Sequence, residues 1–206
     1  RGVRSRVSGS LTGWTSTGRT NFAGLYQRAR RDDSPRAGSQ VPVYSAVMST
    51  SETSTAGGLV TTIAGLAEHV GEHLGTTAWR TFTQDEVNRF ADLTDDHNFI
   101  HVDPEKAAKT PFGGTIAHGF LTLSMVAPVT QELITITDLG MGVNYGLDKV
   151  RFPAPVPVGA RFRGSAQLAE ATEIKGGVQA KVVVTIEVEG SEKPAVVAES
   201  LLRFYA

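Results

Sequence analysis

The sequence predicts an α+β domain in which an antiparallel sheet wraps around one buried helix. Three observations predict it. From Met141 onward apolar and polar side chains alternate, the period of strands with one buried face. Gly176-Gly177 and Gly190-Ser191 fall between those stretches, where hairpin turns belong. The segment from Ala117 to about Ile134 is apolar nearly all round, the mark of a helix without a solvent face. One such helix and a run of hairpin-linked strands form a two-layer α+β unit.

Residues 1–58 are polar and turn-rich, with QRARRDDSPRAGSQ and STSETSTAGG among them, and read as a disordered or linker extension. Their basic, Ser/Thr/Gly-rich start admits a transit-peptide reading. The preferred expectation is an extension with the functional protein starting near Met48, which N-terminal sequencing of the native protein tests. The organised domain is expected over 59–206. Leu59, Ile63, Leu66, Ala67, Val70 and Leu74 share one helical stripe, so a first helix is expected there, stopped by Gly75. A short strand near Trp79–Phe82 precedes Thr83-Gln84-Asp85-Glu86, a capping box that opens a helix ending around Asp95. Residues 96–116 show no sustained period and contain Pro104, Pro111, Gly113 and Gly114. They read as a long ordered loop with one helical turn at Pro104–Lys109, and loops of that length inside compact domains are usually functional. The central helix follows. Then come strands from Met141, over 161–168, over 178–188 and over Ala195–Tyr205, with Phe152–Gly159 as a stiff Pro-rich connector.

Composition narrows the function. The chain has 206 residues, 40% of them hydrophobic, enough for one domain with a real core. It has no Cys, which excludes disulfides, thiolate metal sites and a cysteine nucleophile, and suits a reducing, cytoplasmic setting. The net charge of −1 divides unevenly: residues 1–48 carry +6 and the remainder −7. A mildly acidic domain gives no nucleic-acid footprint. No apolar run approaches the ~20 residues that span a bilayer, so no membrane partner is expected.

Two clusters carry chemistry. In Asp96-His97-Asn98-Phe99-Ile100-His101-Val102-Asp103 a carboxylate and an imidazole five residues apart can converge on one water, one to take a proton and one to give it. By itself this signal is weak, since loop Asp and His also serve as solvated or capping groups. His97/His101 and His69/His73 are each four apart, but the first pair lacks the glutamate-bearing HExxH pattern and the second has no third ligand suggested nearby, so no metal is expected. In Phe112-Gly113-Gly114-Thr115-Ile116-Ala117-His118-Gly119 a glycine-rich loop runs into the start of the buried helix. Free N–H groups and the positive end of the helix dipole there suit a developing oxyanion. The plainer alternative is a turn at Gly113-Gly114, with His118 capping the helix start.

Together, Asp-x-Asn-x-x-His-x-Asp at 96–103 and Phe-Gly-x-x-Ile-Ala-His-Gly-x-Leu at 112–121 resemble the MaoC-like dehydratases, the family of (R)-specific enoyl-CoA hydratases, and most of all its single-domain actinobacterial members. The later run from Asn144 to Pro153 resembles that family's site-closing strand, and the resemblance covers roughly residues 60–206. It implies a hot-dog fold with a long central helix. Asp96 and His101 become the water-holding dyad, the Gly119 N–H the oxyanion donor, Ser124 a support for the dyad, and Asn98 an organiser of the site. The family's common Asn-Pro is Asn98-Phe99 here, which frees one φ angle. The implied reaction is syn hydration of a trans-2-enoyl thioester, or the reverse dehydration, without a cofactor. The implied partners are an acyl-CoA or acyl-carrier-protein thioester, with Lys149 and Arg151 as possible phosphate contacts, and a second copy of the chain. A carrier-protein dehydratase, a thioesterase and a non-catalytic hot-dog subunit are the rival readings.

Overall fold

The computed structural model describes residues 57–206, so the reading of 1–58 as an extension lies almost entirely outside the described residues. In chain order the elements are β1 (Leu59–Thr61), a 3-10 turn (Ala64–His69), β2 (His73–Thr76), β3 (Arg80–Thr81), α1 (Gln84–Thr94), α2 (Phe99–Val102), α3 (Pro104–Ala107), α4 (Gly119–Ser124), α5 (Val126–Leu133), β4 (Ile134–Ile136), β5 (Met141–Arg151), β6 (Arg161–Ile174), β7 (Gly177–Val188) and β8 (Val196–Tyr205). The main sheet runs β2-β6-β7-β8-β5, with β3 also on β6, and every pairing in it is antiparallel. The Gly176 turn has φ +82°, a value that favours glycine. Along β7, Ala180, Val182, Val184, Ile186 and Val188 are buried on alternate positions, as the period-two reading requires.

The expected first helix is absent. Leu59–Thr61 instead pairs in parallel with Ile134–Ile136, and the chain then turns through a 3-10 segment into β2. The β-branched run Val60–Ile63 is a poor helix former. Gly71, at φ +92°, takes a conformation no right-handed helix contains. Ile63, Leu66 and Leu74 are buried all the same.

The central helix is also not continuous. It divides at Met125 into α4 and α5. Pro128 explains the break: it has no N–H to give to the Ser124 carbonyl, and its ring crowds that carbonyl. Val126, Val129 and Leu133 of α5 are buried in one core with Leu168 of β6, Val182, Val184 and Ile186 of β7, and Val196 and Ala198 of β8. α1 begins at Thr83, with both capping-box bonds formed. No helix among the described residues is long and apolar enough to cross a membrane.

Candidate active site

Asp96 stands just beyond the end of α1. The helix closes with Asp95 in the left-handed region at φ 58°, and the N–H groups of Asp95 and Asp96 both reach back to the Ala91 carbonyl. This winding ending turns Asp96 out of the helix and leaves its side chain exposed.

The loop expected over 96–116 contains two short capped turns. Asn98 is the N-cap of α2, its side-chain oxygen accepting from the Ile100 N–H at 3.3 Å. Asn98 therefore starts the turn that carries His101. Phe99 fills the first helical position of α2, the place where a proline's fixed φ would suit. Asp103 caps α3 in the same way through the Lys106 N–H, and that bond holds its carboxyl below the usual carboxylate range. The predicted turn at Pro104 is thus present, whereas α2 was not anticipated.

His101 is buried, and its Nδ1 lies 2.7 Å from the Ile116 carbonyl oxygen. A carbonyl only accepts, so Nδ1 carries the proton and Nε2 keeps a lone pair. Burial pushes the His101 pKa below the ordinary 6.5, and the nearby His118 lowers it further, against a smaller rise from the Ile116 bond and from Asp96. The ring is therefore largely uncharged at neutral pH. Gln84, unremarked in the sequence beyond its place in the capping box, holds this segment in place. Its amide nitrogen donates to the His101 carbonyl at 2.7 Å and its amide oxygen accepts from the Thr115 hydroxyl at 2.6 Å.

His118 is the residue whose position the sequence did not reveal. It is 1% exposed and occupies the N-cap of α4, yet makes no side-chain cap. Its Nε2 instead donates to the Asp96 carbonyl at 3.0 Å, and its ring stacks on His101 with centroids 3.9 Å apart. A carboxylate oxygen of Asp96 and one ring nitrogen each of His101 and His118 lie within 4.8 Å of one another. These are the described residues able to offer a metal ion three ligands. However, His118 has only its Nδ1 left to offer an ion, because Nε2 is bonded to the Asp96 carbonyl, and that Nδ1 is buried. The arrangement suits proton transfer better. Two hydrogen bonds of about 2.8 Å meeting at one water span roughly 4.5–5 Å, a span comparable to the 4.8 Å limit within which these atoms lie.

Without a side-chain cap, the first N–H groups of α4, from Gly119 on, have no intrahelical partner. Gly119 and His101 line one cleft of about 280 Å³ with Thr122, Phe112, Ile116 and Phe152. Phe152 follows β5 directly, so the strand expected to close the site does bring an aromatic wall to it. Ser124 is exposed and its hydroxyl donates to the Leu121 carbonyl of its own helix, not to the dyad. The hydroxyl in the cleft is that of Thr122, which is buried and donates to the His118 carbonyl at 3.1 Å. His97 is 3.7 Å from Asp92, and His69 pairs with Glu72, both away from this cluster.

A family model described as the MaoC-like domain matches residues 66–191. The chain belongs to the MaoC-like family. Among curated relatives of this MaoC-like chain, 3-hydroxyacyl-thioester dehydratase Z of Mycobacterium tuberculosis H37Rv is 53% identical over 145 residues, covering 70% of this chain and 96% of that protein. Nodulation protein N of Rhizobium leguminosarum bv. viciae is 44% identical over 140 residues, covering 66% and 86%. Among solved structures, the (R)-hydratase from A. caviae involved in PHA biosynthesis aligns with a TM-score of 0.54 at 28% identity, over 65% of this chain and 94% of that one. The sheet around a helix is thus the hot-dog fold, with the helix in two pieces.

Proposed function

We propose that this MaoC-like protein is an (R)-specific enoyl-CoA hydratase, and in reverse a 3-hydroxyacyl thioester dehydratase, acting as a cytoplasmic homodimer. The observation that carries the reading is the approach of an Asp96 carboxylate oxygen to within 4.8 Å of a nitrogen of the uncharged His101 ring, with His101 and the bare start of α4 sharing a cleft.

The chemistry follows from those roles. The thioester carbonyl accepts from the Gly119 N–H, which draws electron density from C3. Asp96 accepts one hydrogen of the bound water and orients it. As the water oxygen bonds to C3, His101 Nε2 takes the other hydrogen, and the negative charge gathers on the thioester oxygen beside Gly119. The imidazolium then gives its proton to C2 from the same side, which restores the carbonyl and makes the addition syn. Dehydration retraces the path. The 53% identical relative is named a 3-hydroxyacyl-thioester dehydratase, in keeping with this reading.

The dimer rests on β5. It is the edge of the main sheet, and Met141 to Lys149 are exposed on both faces, with Met141, Val143, Tyr145 and Leu147 among them. A long apolar edge of this kind invites pairing with a second copy. Trans-2-enoyl-CoA thioesters of increasing chain length test the proposal, with loss of the conjugated absorbance as readout, chiral analysis of the product, and sedimentation for the mass. Turnover to an (R)-3-hydroxyacyl product by a dimer is expected. Release of free thiol, or no turnover with CoA and carrier-protein thioesters of any length, overturns it.

Gly119→Ala separates the oxyanion role from folding. An added Cβ would meet the Phe152 ring at 3.5 Å, an ordinary contact, so the protein itself has room for it. The same methyl intrudes where the thioester must approach the N–H. The melting temperature should hardly change while kcat/KM falls at least about tenfold, equal to ~1.4 kcal/mol of barrier. Steady-state kinetics beside a thermal melt measures both.

A further inference from the structure

The Asp96 carboxylate makes no hydrogen bond among the described residues, so its aim depends on how its main chain is held. Two bonds hold it: the Asp96 N–H to the Ala91 carbonyl at 3.2 Å, and the Asp96 carbonyl to His118 Nε2 at 3.0 Å. His118 also stacks on the His101 ring, and it packs on Phe90 of α1 at 4.9 Å between centroids. One buried side chain thus touches both members of the dyad and the helix from which Asp96 emerges.

We propose that His118 is a positioning residue for the dyad: its Nε2–H fixes the Asp96 backbone and its ring fixes the plane of His101. The proposal rests on Asp96 and His101 being the catalytic pair. The tautomer follows from the acceptor. A carbonyl at Nε2 requires the proton there, which leaves Nδ1 with its lone pair. Nδ1 is buried and has no partner among the described residues. A ring kept only to fill space has no reason to be an imidazole. An imidazole with one nitrogen bonded to the Asp96 carbonyl and the other idle is accounted for by that single bond. The titratable groups that face it are His101 on α2 and Asp96 in the loop, while α1 presents Phe90.

Three variants distinguish positioning from filling. The amide nitrogen of Gln reaches the place of imidazole Nε2, that of Asn the place of Nδ1, and Leu offers bulk alone. His118→Asn and His118→Leu should lower kcat by roughly 10- to 100-fold, the scale of an ångström-sized misplacement of a reacting group, with KM changed less than about threefold. His118→Gln should recover most of that loss. Gln no better than Asn, a loss confined to KM, or activity that simply follows the melting temperature overturns the proposal. Should none of the variants fold, nitrogen-detected NMR of the wild-type protein decides the matter: neutral His118 must carry its proton on Nε2, and the Nδ1–H tautomer refutes the arrangement. If Asp96→Asn and His101→Asn keep activity, the dyad itself fails. If they lose it while the His118 series behaves as filling, only the positioning role does.

Discussion

Asp96→Asn and His101→Asn are each expected to lower kcat by roughly 100- to 10,000-fold, the contribution of a positioned acid or base, while the protein stays folded. Asp96 is exposed and its carboxylate bonds to nothing among the described residues, so the amide replaces it at little structural cost. At position 101 asparagine is the informative choice. It still donates to the Ile116 carbonyl from near the Nδ1 position, whereas His101→Ala would leave that carbonyl bare and open a cavity. What asparagine lacks is the basic Nε2. Activity within tenfold of wild type in either variant removes that residue from the mechanism.

The pH profile supplies a second reading of the same residue. Burial first, and His118 after it, lower the His101 pKa below 6.5. Hydration needs the uncharged ring, so kcat/KM should fall on the acid side with its midpoint below 6.5. Stability has the same sign. Between the folded pKa and the ordinary value the unfolded chain binds the proton and the folded chain does not. The contribution of His101 is therefore complete above 6.5 and is lost as pH falls through the folded pKa. His101→Asn should lose less stability on acidification than wild type, a difference that denaturant melts at several pH values measure.

How far the site could be read from the sequence follows from what kind of atom each residue meets. Asp96, His101 and Gly119 can be singled out as candidates because two ordered motifs carry them. Asn98 was legible as a residue of the motif, though its work is to cap α2. Gln84 and His118 were not, since each acts on a backbone carbonyl, of His101 and Asp96 respectively, and a carbonyl leaves no trace in residue identity. Ser124 was placed by resemblance, and the chain turns its hydroxyl back to Leu121. In the fold, β5 to β8 were legible from period two, whereas β1, β2 and β4 were not. The first helix was misread because Ile63, Leu66 and Leu74 satisfy a helical stripe and also a 3-10 turn leading into a strand, and all three are buried in either arrangement. The division of the central helix was encoded in Pro128, beneath an apolar pattern that continues across it.

Gly164→Ala is expected to cost about 1–3 kcal/mol, the range of an overpacked core, although it lies outside the catalytic cleft. Gly164 sits on β6 where α5 crosses the sheet. A Cβ there would come within 2.2 Å of Val129 Cγ2, closer than atoms can approach. Neither side can yield easily. The Gly164 backbone is held by Thr77 twice, its N–H donating to the hydroxyl at 3.0 Å and its carbonyl accepting from the Thr77 N–H at 2.8 Å. Val129 is buried, and a β-branched side chain in a helix has essentially one rotamer. The helix must therefore lift from the sheet. At roughly 2–4 °C per kcal/mol for a domain of this size, the melting temperature should drop by several degrees. The effect should also reach the chemistry, because α5 continues from α4, whose first residues present Gly119 to the cleft and His118 to the dyad. Val129→Ala in the same chain removes the colliding methyls, so the double variant should be more stable than the two single losses predict when added. A Gly164→Ala protein that melts with wild type would mean that α5 does not approach the sheet this closely, and the placement of α4 above the dyad would lose its mechanical support.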